Sequence, residues 1–291
     1  MTGTIWVWWL DPFLTTSLLV SGVAYVSAFR RVMRERGTRA FPRHRAAAFL
    51  TGLAVLFLAL HWPLDEYAAR WFSAHMVQHL LITLVAAPLL LLGTPVTLAL
   101  LASSARTRRR ILMPVVGSTA GRWLTNPIVV WSVFLLVIWG SHFTSLYAAA
   151  LRNEGVHALE HAAYLAAAVP FWRPVIGLDP GPGRISHPAR ILYLFLAMAQ
   201  MALLGFAIYG ANTVLYPAYA HVAGANSASA LADQRIAGAI MWTGGMFLIV
   251  PALAFVMMDW MRREERAGER ADARADRAFA RGTGADDGST L

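Results

Sequence analysis

Seven long apolar blocks, joined by short polar connections, constrain this chain more than any other feature. A helix needs about 20 residues to cross the hydrocarbon core of a bilayer. The blocks near 10–29, 46–64, 75–101, 127–147, 155–173, 188–212 and 233–260 are all of that order. Only 14% of the 291 residues are charged, against roughly a quarter in a soluble domain. An ordinary cytosolic enzyme, a disordered chain and a nucleic-acid-binding module are excluded on that ground. The expected fold is an all-α integral membrane protein: a seven-transmembrane-helix bundle over 1–260, then a charged tail over 261–291. That tail should be helical at first and disordered over its last ten residues. The third and seventh blocks contain Pro88, Pro95 and Pro251, which predict kinks or tilted, overlong helices.

The charges orient the bundle. All 25 basic residues are Arg. With no Lys, a retinal Schiff base is impossible; with no Cys, disulfides and thiolate metal sites are excluded. Arg30 to Arg45, Arg106 to Arg122, Arg173 to Arg190 and the tail from Arg262 to Arg281 all fall on one side of the seven-span arrangement. Only Arg70, Arg152 and Arg235 fall on the other. The positive-inside rule then puts the N-terminus outside and the C-terminus in the cytoplasm. No basic residue precedes the first block, so it reads as an uncleaved anchor and not a secretory signal. Trp6, Trp8, Trp9, Trp62 and Trp71 fall near the outer edge, and Trp123, Trp172 and Trp260 near the inner edge, as interfacial anchors do. The basic tail suits an anionic inner leaflet or a cytoplasmic partner.

Nine His can now be placed. His44 and His187 are cytoplasmic. His61, His75, His79, His142, His157, His161 and His221 all belong to outer helix ends or outer loops. His75-Met-Val-Gln-His79 and His157-Ala-Leu-Glu-His161 are both i, i+4 pairs, which stack two imidazoles on one helix face about 6 Å apart along the axis. Ionisable rings in an apolar zone are functional candidates by default, and neutral imidazole suits copper, zinc, iron or nickel. The expected metal ligands are His75, His79, His157 and His161, then His142, with His61 as an outer ligand. Glu160, Asp233, Gln78 and Gln234 are placed to accept or donate at the second ring nitrogen. Asp233 serves equally well as a cap for the start of the seventh span. Arg235 is a candidate ion-pair partner for Asp233 or Glu160. Met198, Met201, Met241 and Met246 lie at mid-membrane depth, where thioether is a soft ligand but more often core filler.

Three motifs then carry a family resemblance. His75-Met-Val-Gln-His79-Leu-Leu followed by Pro88-Leu-Leu-Leu-Leu-Gly-Thr-Pro95 resembles the third-helix signature of the CtaG-type cytochrome c oxidase assembly factors. His157-Ala-Leu-Glu-His161 followed by Pro170-Phe-Trp-Arg-Pro-Val175 resembles their fifth helix, and Asp233-Gln-Arg-Ile-Ala-Gly-Ala-Ile-Met-Trp242 the opening of their last. The similarity covers roughly 50–260. It implies a multi-pass protein of the bacterial inner membrane that is needed to make active haem-copper oxidase. It also implies copper handling on the outer side, since relatives occur fused to membrane copper-resistance domains. The single-span copper chaperone of the same name uses a Cys pair, which this chain lacks. The resemblance does not assign ligands; spacing and topology do.

The expected role is non-catalytic: copper bound by the His cluster and passed towards the copper-containing subunit of cytochrome c oxidase, received from a periplasmic donor. A bis-His haem protein for electron transfer, with His79 and His161 as axial ligands, remains open, as does a metal-free scaffold for oxidase subunits. A di-iron hydroxylase does not fit, because no His-His pair occurs and the cluster is on the wrong side.

Overall fold

The computed structural model describes residues 11–143, 149–150, 152–217, 219 and 227–286. Trp6, Trp8, Trp9 and His221 lie outside the described residues. All regular structure among the described residues is helical. Helix α1 (Pro12–Arg36) opens with Asp11 Oδ1 accepting from the Phe13 and Leu14 amides at 2.8 and 3.1 Å, with Pro12 in the first turn. Helix α2 spans Arg43–Leu60, and the short α3 spans Leu64–Arg70. The long run α4 is Phe72–Ala102. It is widened by a π-turn at Leu81–Ala86, just before Pro88, and broken at Thr94, which takes a left-handed φ of 46° ahead of Pro95. Proline has no N–H to continue the ladder, so both irregularities sit where the sequence requires them.

Helical turns between 105 and 123 lead to α5 (Pro127–Phe143) and α6 (Glu154–Ile176), the latter capped by Asn153 Oδ1 on the Gly155 and Val156 amides. Helix α7 is His187–Gly210. Helix α8 comprises Ser227–Ala239, a π-turn Ile240–Gly244, and Gly245–Asp286. It runs without a break through Pro251 and on into the charged segment after 260. It also stays helical past 282, to Asp286.

Five of these runs are long and apolar enough to cross a membrane: α1, α2, α4, α7 and α8. Helix α5 is apolar but 17 residues long as described. Helix α6 has 23 residues, but the two imidazoles and two carboxylates in its first half lower its hydropathy.

One apolar core joins α2 and α4 through α8, around Phe134, Tyr164, Phe171, Leu194 and Leu204. A smaller cluster of Tyr25, Val32, Phe41, Phe49 and Leu98 holds α1 against its flank. Helices α7 and α8 meet at a glycine contact: a Cβ on Gly238 would lie 2.7 Å from the Gly205 carbonyl oxygen.

Hydrogen bonds between elements define two ends. At one, Asp179 Oδ1 accepts from the Thr97 amide and hydroxyl at 2.7 and 2.6 Å, Arg173 donates to the Pro180 and Pro182 carbonyls, and His187 Nε2 meets Asp259 at 3.0 Å. This is the Arg-rich end. At the other, Thr15 Oγ1 meets His61 Nε2 at 2.9 Å, Tyr216 donates to the His142 carbonyl at 2.8 Å, and Asp233 of α8 binds the start of α4.

Candidate metal centre

Five imidazoles from three helices converge at the end opposite the Arg-rich connections. Helix α4 supplies His75 and His79, α5 supplies His142 and α6 supplies His157 and His161. The i, i+4 spacing stacks each pair as the helical repeat requires: ring centroids are 4.0 Å apart for His75–His79 and 4.2 Å for His157–His161. Across helices, His75 lies 5.7 Å from His157 and 6.1 Å from His161, and His79 lies 6.1 Å from His161 and 5.9 Å from His142. His75 and His79 are 0% and 2% exposed, while His157 is half-buried.

Carboxylates enter the same layer. Glu160 Oε2 is 3.9 Å from His75 Nε2. One ligating atom each from His75, His79 and Glu160 lie within 4.8 Å of one another, and the same holds for Asp65, His157 and His161. Both ring nitrogens of His79, Nε2 of His161 and both oxygens of Glu160 are buried with no hydrogen-bond partner among the described residues. Leaving such groups unsatisfied costs about 1–3 kcal/mol each. They are also the atoms a metal ion would coordinate, so the donor set fits an imidazole–carboxylate site.

His142 is fixed differently. Its Nδ1 lies 2.7 Å from the Ile138 carbonyl, which can only accept, so Nδ1 carries the proton and Nε2 carries the lone pair. That is the tautomer a metal ligand needs. Tyr164 packs its ring 4.1 Å from His79 and hydrogen-bonds Ser141 through its hydroxyl.

Four expected members make their bonds elsewhere. His61 is buried but turned away: Nε2 meets Thr15, Nδ1 meets the Phe57 carbonyl at 3.0 Å, and the ring stacks on Phe57. Both nitrogens are already engaged, so it is not placed as an outer ligand. Asp233 directs its carboxylate to a different helix. Its Oδ2 accepts from the Phe72 amide at 2.7 Å and the Ser73 amide at 3.3 Å, and Oδ1 accepts from the Ser73 hydroxyl. It therefore caps α4 one turn before His75. Gln78 Nε2 donates to the Ala59 carbonyl at 2.8 Å and to Asp65 Oδ1 at 2.9 Å. It orients a carboxylate, not a ring. Gln234 ties down the α7–α8 connection, with Oε1 accepting from the Leu215 amide at 2.7 Å. Met201 and Met241 are packed in the main core, the filler role.

Asp65 and Tyr164 are the members that sequence reasoning missed. Asp65 stands four residues after His61, in a stretch that reads as an outer loop. Tyr164 follows His157 and His161 at helical spacing, which places it on the same face.

Residues 23–263 match the family model described as cytochrome c oxidase caa3 assembly factor. An uncharacterized protein of Mycobacterium leprae (strain TN) is 31% identical over 281 residues, covering 94% of this chain and 42% of that protein. Similar proteins of Mycobacterium bovis and Mycobacterium tuberculosis are 30% identical over the same length, with the same coverage. The chain thus spans about two-fifths of the length of these curated relatives. No solved structure matches it.

Proposed function

This chain belongs to the cytochrome c oxidase caa3 assembly factor family, and we propose that its part in assembly is to carry copper through the imidazole layer towards the oxidase copper centre. One observation carries this reading: five imidazoles from three helices share one layer, and buried ring nitrogens of His79 and His161 there make no hydrogen bond among the described residues. Stability alone would replace such groups by apolar side chains. The donor set is nitrogen and oxygen, and the chain has no Cys that an oxidising compartment could attack. Copper is cargo, so the task is ligand exchange and no covalent bond need be made or broken.

The proposed setting is the bacterial inner membrane, crossed seven times with α5 and α6 among the spans. The N-terminus is outside and the C-terminus in the cytoplasm. Two features support it: the Arg-rich connections share one end of the bundle, and the imidazoles lie at the other. The donor is then a periplasmic copper protein and the recipient the copper-containing oxidase subunit. The haem alternative needs a flat slot between His79 and His161. His75 stands 4.0 Å from one ring and 6.1 Å from the other, and Tyr164 stands 4.1 Å from His79, which crowds that slot.

The test is metal analysis of the purified protein beside a His79→Ala, His161→Ala double variant. Copper in the wild type and its loss in the variant is the expected result. Equal copper in both, or a Soret band in the wild type, would overturn the reading. In cells, a deletion strain should recover oxidase activity when copper is added.

A further inference from the structure

We propose that the imidazole layer is two metal stations in series: a rim station of Asp65, His157 and His161, and an inner station of His75, His79 and Glu160. This rests on the reading that the chain carries copper, and it specifies how.

Each i, i+4 pair has a carboxylate of its own, and each carboxylate comes from a different element than the pair it serves. Asp65 of α3 joins the α6 pair, and Glu160 of α6 joins the α4 pair. Within each triad one ligating atom per residue lies within 4.8 Å of the others. Rings within a pair are 4.0–4.2 Å apart and rings of different pairs 5.7–6.1 Å apart. Two His and one carboxylate form a familiar three-ligand set for a borderline divalent ion with positions left open for exchange.

Charge favours the same division. One carboxylate beside each ion cancels the whole charge of a cuprous ion or half that of a cupric one. Gathering both carboxylates on one ion would leave the second pair to hold charge without compensation in apolar surroundings. Burial gives a direction. Asp65 and His157 are half-buried, whereas His75 and His79 are sealed. An ion therefore meets the rim triad first, and His75, 5.7 Å from His157, is the next imidazole inward. Gln78 couples the two stations: it precedes His79 on α4 and donates to Asp65 at 2.9 Å. His142 adds a lone-pair nitrogen on the inner side.

The experiment uses the full chain in lipid nanodiscs, titrated with Cu(II), with ions counted by mass spectrometry and electron paramagnetic resonance read in parallel. The wild type should hold two ions per chain with mutually broadened signals. Asp65→Asn and, separately, His157→Gln should each leave one ion with a sharp isolated signal that a chelator removes slowly. Glu160→Gln should leave one ion that a chelator removes quickly. Filling of the inner station should be slower in Asp65→Asn than in the wild type, because the ion loses its first holding point. These substitutions are near-isosteric, and circular dichroism checks that each variant is folded. One ion per chain, weakened alike by all three variants, would establish a single shared site; it would overturn the two stations and leave copper carriage standing. No bound copper in the wild type would overturn both.

Discussion

The two ends of the bundle treat buried polar groups in opposite ways. At the Arg-rich end the carboxylates that join elements have their donors: Asp179 takes the Thr97 amide and hydroxyl, and Asp259 takes His187 and Arg263 at 3.0 Å each. At the other end Glu160 takes none among the described residues, and His79 neither donates nor accepts. Asp233, at the same end but outside the imidazole layer, is fully engaged in capping α4. The contrast is thus not between two environments. It separates groups that hold the fold from groups that the fold holds in place. The first class completes its bonds within the chain; the second is kept ready for something else, against a desolvation cost.

Five substitutions sharpen or break this contrast. The largest effect is expected for His79→Leu. Copper affinity should fall by about 100-fold or more, since even supporting residues are worth 10–100-fold. The thermal midpoint should stay level or rise, because an unsatisfied buried ring is replaced by an apolar one. A large drop in midpoint without loss of copper would put His79 among the structural groups. Next is Gly183→Ala at the Arg-rich end. Gly183 has φ +91°, and an added Cβ would lie 1.9 Å from the Thr125 carbonyl oxygen. Strain of about 3 kcal/mol should lower the midpoint and leave copper stoichiometry unchanged. Asp179→Ala should cost about 2 kcal/mol through loss of the cap on the Pro95 helix, again with full copper binding. Copper loss in either variant would show that the two ends are energetically coupled. Gln78→Leu frees Asp65 and should weaken copper about tenfold by isothermal titration. Met201→Leu should be the mildest, at about 1 kcal/mol or less in stability with copper unaltered.

Much of this was legible in the sequence, and the gaps have identifiable causes. Some apolar blocks anticipate their helices to within a few residues, 46–64 matching Arg43–Leu60 and 188–212 matching His187–Gly210, whereas α1 and α8 run well past theirs, to Arg36 and Asp286. The His pairs were readable because helical spacing alone decides which side chains stack. His61 was not, since its depth matched the other rings but its facing depends on Thr15, 46 residues earlier. Asp65 was hidden for the same reason, its place being set by Gln78 across a helix boundary. Asp233 had two local readings, and the structure supplies a third, a cap on another helix, which no local pattern can signal. The π-turn at Ile240–Gly244, unlike the one before Pro88, has no proline beside it and does not disturb hydrophobic periodicity enough to be seen. The continuation of α8 into the charged segment was masked by composition, because polarity changes at 261 while backbone conformation does not.

The bond from Asp233 to the Phe72 amide has a consequence for biosynthesis. The two residues are 161 positions apart. Translation delivers the first His pair long before the carboxylate that secures the turn beneath it. A nascent chain can insert its early helices and still present a loose, unfastened α4 start until the last helix arrives. Ribosome-bound chains halted before residue 233 should therefore show rapid hydrogen exchange at Phe72 and Ser73, and release of the complete chain should quench it.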